Sequence, residues 1–196
     1  MSRPREFNVD RALHQSLEVF WTKGFKSTTF EDLTRTTKVK KQSLYCVFKN
    51  KRDLFLKALV LYREERISIL EEMASREMSP LEKLETIFDY SQYQNKETCR
   101  GCFMVNSALE FGNDDQEVCR EVSLMFDQIE SILEKIIREG QEQGLVTKCQ
   151  SSKELAAYLN NALSGMRFME KAGASNEQIN AILHTSFALI KAENAR

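Results

Sequence analysis

Residues 24–55 read GFKSTTFEDLTRTTKVKKQSLYCVFKNKRDLF. Two short helices are written in this stretch. Thr28 and Thr29 precede Phe30-Glu31-Asp32-Leu33, a capping hydroxyl followed by acids in the first turn. Both Thr28–Glu31 and Thr29–Asp32 have capping-box spacing, the second with the shorter acid. This helix ends near Thr37. After a short turn, Lys41-Gln42-Ser43-Leu44-Tyr45-Cys46-Val47-Phe48 form the next, with Leu44, Val47 and Phe48 on its inner side. Asn50 then caps a longer helix running through Leu54, Phe55, Ala58, Leu59 and Tyr62 to near Arg76. Two short helices across a tight turn, the second with a polar outer face, describe a helix-turn-helix.

The charge pattern agrees. Residues 1–57 carry 13 basic and 6 acidic side chains, and residues 58–196 carry 15 and 23, so a net charge of -1 conceals a basic front and an acidic rear. Between Asp32 and Asp53 there is no acid but there are seven bases: Arg35, Lys38, Lys40, Lys41, Lys49, Lys51 and Arg52. Such a field suits a polyanion. In a unit of this kind Leu33 and Val39 brace Leu44 and Phe48. The outer residues of the second helix, Lys41, Gln42, Ser43, Tyr45 and Cys46, are placed to meet phosphates and base edges, with Gln suited to adenine and Lys to guanine. Thr29 at a helix N-terminus, with Lys49 and Lys51 past the second helix, would hold the DNA backbone.

The rest of the chain also reads as helix. Asn8 caps a first helix with Ala12, Leu17 and Phe20 inward and Gly24 at its end. Ser79-Pro80-Leu81-Glu82 is a start signal. Gly101 and Gly112 bracket a short helix. Val118, Val122, Met125, Ile129, Ile132 and Ile136 form the seam of a long one, closed by Gly140 and Gly144. Two more follow, marked by Leu155, Leu159, Leu163 and Met166, then by Ile179, Leu183, Phe187 and Ile190. Two prolines, seven glycines and few β-branched runs exclude turn-rich β folds and leave an all-α chain of nine helices. No apolar run approaches the roughly 18 residues of a membrane span. The N-terminus lacks the apolar segment of a secretory signal, so a cytoplasmic protein with reduced thiols is expected.

Gly24-Phe25, Thr28-Thr29-Phe30, Leu33, Val39, Ser43-Leu44-Tyr45, Phe48, Lys51 and Leu54-Phe55, at these spacings, resemble the N-terminal signature of the TetR/AcrR family of bacterial transcriptional regulators. The resemblance implies a homodimer that binds a double-stranded, palindromic operator through residues 1–57. Residues 58–196 would bind a ligand and dimerise through the last two helices, where Leu155, Ala156, Leu159, Leu163, Met166, Ile179, Ile182, Leu183 and Phe187 supply apolar surface and Gly165 permits close approach. It implies a repressor released by a small apolar or amphipathic effector. Phe88, Phe103, Met104, Phe111, Phe126 and Phe168 are candidates to line its cavity, with Ser107, Glu110, Asn106 and Asn161 to orient it. Two positions depart from the family pattern. Lys38 stands where the turn usually has glycine, and Lys40 stands where a small polar residue usually caps the second short helix.

Cys99-Arg100-Gly101-Cys102 gives the alternative, a thiol-based redox or electrophile sensor or oxidoreductase. As a metal site it is half a set, with His14 and His184 remote. No Ser-His-Asp set, metal-binding helix or phosphate loop is present, so no catalytic residue, metal or cofactor is expected.

Overall fold

The computed structural model describes residues 7–93 and 100–192. Among them lie nine helices: α1 (Val9–Lys23), α2 (Phe30–Thr37), α3 (Lys41–Val47), α4 (Lys51–Ser75), α5 (Pro80–Tyr93), α6 (Phe103–Phe111), α7 (Gln116–Glu142), α8 (Ser152–Lys171) and α9 (Asn176–Ile190). The chain divides into two compact units. One takes residues up to Glu65 together with Asn106–Val122; the other takes Arg66–Val105 and the chain from Ser123 on. The divisions fall inside α4, α6 and α7, so the first unit is larger than the segment read as the DNA-binding part. The end of α6 and the start of α7 belong to it.

In the first unit α1 starts on Asn8, whose Oδ1 accepts from the Arg11 N–H at 2.9 Å. Its inward face is Ala12, Ser16, Leu17, Val19, Phe20 and Trp21. Ser16 is tolerated inside because its hydroxyl donates to the Ala12 carbonyl. Around Phe20 an aromatic cluster forms: its ring meets Phe55 edge-on at 5.2 Å, Phe25 lies 5.0 Å from Phe55, and Phe111 of α6 lies 5.2 Å from Phe25 and 5.3 Å from Phe55. Each such pair contributes about 0.5–1.5 kcal/mol beyond the apolar area it buries. Leu33, Leu44, Phe48 and Leu54 are buried, so the inner sides read for α2, α3 and α4 are the ones the fold uses.

In the second unit the seam of α7 is buried at Met125, Ile129, Ile132 and Ile136, and α8 packs on α5 and α9. Ser151 and Ser175 start α8 and α9 with capping boxes to Glu154 and Gln178. Gly140 does not end α7, as the sequence implied. The helix continues to Glu142, and Gly144 turns the chain at φ 73°. Gly140 is small for another reason: the chain doubles back onto it, and a Cβ there would meet Val146 Cγ2 at 2.6 Å. Val146 then bridges to Lys191, and the Thr147 N–H donates to the Ile190 carbonyl at 2.8 Å.

The apolar residues expected to form a dimer surface are mostly inside this unit. Leu155, Ala156, Leu159, Leu163, Met166, Ile179 and Leu183 are buried in the single chain. Burial against their own neighbours leaves them nothing to offer a second copy. Gly165 does face outward, and beside it α8 and α9 turn out Tyr158, Phe168 and Leu189, with Ala157, Ala181 and Ala188.

Candidate nucleic-acid interface

The interface is built on the turn between α2 and α3. Of the two candidate boxes at the start of α2, Thr29–Asp32 forms. The Asp32 N–H donates to Thr29 Oγ1 at 3.1 Å, and the Thr29 N–H donates to Asp32 Oδ2 at 3.0 Å. Thr28 is buried instead, its hydroxyl donating to the Gly24 carbonyl at 2.6 Å. Asp32 is a hub. The Lys23 ammonium at 2.5 Å and the Thr29 N–H and hydroxyl hold its carboxyl well below the usual carboxylate range, and Arg35 pairs with it at 2.9 Å.

Lys38 adopts the left-handed conformation, φ 57°, alone among the described non-glycine residues. That is strain which glycine would avoid. Thr37 stitches the turn: its hydroxyl donates to the Leu33 carbonyl at 2.8 Å and accepts from the Val39 N–H at 3.2 Å. Lys40 occupies the cap of α3 and makes no side-chain cap bond. Both departures from the family pattern therefore have structural consequences.

The recognition helix turns Lys41, Gln42, Tyr45 and Cys46 to solvent, with Ser43 half-buried and Leu44 fully inside. Tyr45 is 39% exposed although large and aromatic. Its ring lies 4.7 Å from that of Phe30 on α2. The Lys41 ammonium sits over both rings, 5.1 Å from Phe30 and 5.7 Å from Tyr45. Thr29 is exposed at the start of α2, with its hydroxyl engaged by Asp32 at 2.8 Å. Lys49 is exposed, and its N–H donates to Asp53 at 3.2 Å.

Lys51 has another task than the one expected. Its ammonium donates to the carbonyls of Phe25 and Thr28, both at 2.9 Å, and lies 4.3 Å over the Phe25 ring. It is half-buried and locks the loop between α1 and α2 rather than reaching outward. Glu110, read as a ligand-orienting residue, holds the same loop from α6. Its carboxylate accepts the N–H groups of Phe25 at 2.8 Å and Lys26 at 2.6 Å. Gly24 at φ 79° leaves room for it, since a Cβ there would lie 2.9 Å from Glu110 Oε2. Phe111 joins the aromatic cluster, so neither residue lines a ligand cavity.

Arg52, at the start of α4, makes a bidentate pair with Asp115 at 2.8 and 2.7 Å and a further contact with Glu117 at 2.6 Å. The guanidinium holds the Asp115 carboxyl below its ordinary range. These partners lie far apart along the chain, and only the packing reveals them.

Of the remaining ligand candidates, Asn106 and Ser107 belong to the first unit, and Phe88, Phe103, Met104, Phe126, Phe168 and Asn161 to the second. Phe88, Phe103 and Met104 are fully buried there, Phe88 meeting Phe187 edge-on at 5.3 Å, and Phe126 is half-buried. Phe168 is 50% exposed on the outside of α8, which removes it from an enclosed site. Ser107 is buried in the first unit. Asn161 faces solvent, while its neighbour Asn160 is buried and donates to the Phe126 carbonyl at 3.3 Å and Glu130 at 3.2 Å. Of the CxxC, Cys99 lies outside the described residues and Cys102 is buried. Among the described residues no group of three or more His, Cys, Asp or Glu is placed to hold a metal ion, and no helix is long and apolar enough to cross a membrane.

A braced, basic and acid-free helix offered to solvent after a tight turn defines the helix-turn-helix class of DNA-binding regulators. Residues 12–58 match the family model of bacterial regulatory proteins of the tetR family, and residues 80–185 match the tetracyclin repressor-like C-terminal domain. The chain therefore belongs to the tetR family of DNA-binding transcriptional regulators. It is 28% identical over 193 residues to YezE of Bacillus subtilis (strain 168), an uncharacterized HTH-type transcriptional regulator, covering 97% of this chain and 100% of that one. It is 28% identical over 192 residues to the HTH-type transcriptional repressor ComR of Escherichia coli (strain K12), covering 95% of this chain and 90% of the other. The fold matches that of the TetR family regulator CifR, solved as a cysteine mutant complexed with 26bp operator DNA, with a TM-score of 0.81 at 24% identity over 95% of this chain and 98% of that one.

Proposed function

We propose that the protein is a homodimeric repressor that acts in the cytoplasm on a palindromic operator and is released by a small apolar or amphipathic effector. The observation that carries DNA reading by α3 is its division of labour. Leu44 and Phe48 anchor it from within, while Lys41, Gln42, Tyr45 and Cys46 stand outward on a surface with no acid between Asp32 and Asp53. Lys41, Gln42, Ser43, Tyr45 and Cys46 face the groove, and Thr29 and Lys49 hold phosphates. Lys51 supports them from behind by fixing the loop that precedes α2.

Residues 1–57 serve DNA binding and residues 58–196 serve effector binding and dimerisation. Phe88, Phe103, Met104 and Phe126 of the second unit are the apolar residues assigned to the effector. The similarity to ComR, a transcriptional repressor, supports repression. The outward residues Tyr158, Gly165, Phe168, Ala188 and Leu189 supply the contact with a second copy in place of the buried set. Its twofold axis accounts for a palindromic site. Selecting duplexes from a random pool with the purified protein, and weighing free and bound protein by light scattering, tests this reading. Dimer-mass protein and an inverted repeat are expected. A monomer on an asymmetric site would overturn it.

A further inference from the structure

Helix α3 has seven residues, no side-chain cap on its first turn, and a strained left-handed residue before it. A helix so short has little stability of its own. Its buried side is held by Leu44 and Phe48, which fix its depth. The outer side has a second fastening. Lys41 and Tyr45 lie one turn apart on one face, and both pack on the ring of Phe30, the first residue of α2. The ring contact is 4.7 Å, and the ammonium lies 5.1 Å from the Phe30 centroid.

The geometry points to Phe30 as a positioning residue for DNA recognition. It holds Tyr45 and Lys41 in the orientation in which α3 meets the groove, and it fastens from outside the helix that Lys40 leaves uncapped. Phe30 itself need touch no base. Aromatic pairing and the cation over the ring face both favour this arrangement, and both persist at a half-exposed site. This rests on α3 as the reading helix.

The test uses the full chain, the duplex that wild type selects from a random pool, and a scrambled duplex of equal length. Phe30→Leu is expected to lower affinity for the selected duplex about tenfold and for the scrambled one less than about twofold, because lost orientation affects base contacts more than phosphate attraction. Hydrogen exchange, which needs no DNA, is expected to speed up at residues 41–47 and not at residues 30–37 in this variant. Phe30→Tyr, which keeps the ring, is expected to restore both. If Phe30→Leu unfolds, Phe30→Met and Phe30→Tyr read the same contrast. Unchanged affinity and exchange, or an equal loss on both duplexes, would overturn the inference. If wild type selects no duplex, the reading of α3 fails by itself, and the exchange contrast still decides whether Phe30 fastens the helix.

Discussion

The loop between α1 and α2 and helix α3, the proposed reading helix, lie in one compact unit and are held in opposite ways. Residues 24–28 are tied by charge: Lys51 grips two carbonyls, Glu110 takes two N–H groups, and the Phe25 ring is packed into the aromatic cluster. Helix α3 is held by the buried Leu44 and Phe48 and by Tyr45 and Lys41 on the Phe30 ring, with no side-chain cap at its N-terminus. On the proposed reading, this anchoring from within leaves Lys41 and Tyr45 outward while they pack on Phe30. A loop that only positions its neighbours can commit its charges inward.

The contrast has measurable consequences. Glu110→Ala leaves the part-buried Phe25 N–H and the exposed Lys26 N–H without their acceptor and should lower stability by about 1–3 kcal/mol, most of it from Phe25. For a chain of this size each kcal/mol shifts Tm by about 2–4 °C, which calorimetry reads directly. An unchanged Tm would mean that the loop is not held as described. Lys40→Ser supplies the missing cap and should stabilise by about 0.5–1 kcal/mol, visible in the same melting experiment and as slower exchange in α3. No gain would show that the first turn of α3 is satisfied in another way.

The smallest effect concerns His14 of α1. Its imidazole bonds the Asp10 carbonyl and Glu65 of α4, both at 2.8 Å, and these contacts raise its pKa. A raised folded value means that the stabilisation is fully present below the ordinary histidine range and is lost as pH rises through the folded value. The Tm gap between wild type and His14→Gln should therefore be wider at about pH 5.5 than at about pH 8.5. A gap independent of pH would show that the pair carries no protonation-linked stability.

What the sequence made legible was local. Asn8, Thr29, Asn50 and Ser79 cap helices as their spacing foretold, because a cap involves residues three apart. Lys38 and Lys40 were legible as departures from the family pattern, and the turn shows the left-handed residue and the missing cap bond they imply. Lys51 and Glu110 were misread because their partners lie 23 to 85 residues away. No periodicity encodes such a meeting. Phe30 was read only as part of the family signature, since its contacts with Tyr45 and Lys41 lie across the turn and no periodicity encodes them. Most of the apolar residues read as a dimer surface are buried in the single chain, because an apolar stripe looks the same whether its own chain or a second one covers it.

The central claim is that α3 reads duplex DNA, and a fluorescence anisotropy titration of the selected duplex with wild type and Tyr45→Ala, across a range of salt, tests it most directly. Wild type should bind saturably, with affinity falling steeply as salt rises. Tyr45→Ala should bind about 100-fold more weakly while melting within about 2 °C of wild type. Equal binding by the two proteins, or a wild type indifferent to duplex at every salt concentration, would contradict the account.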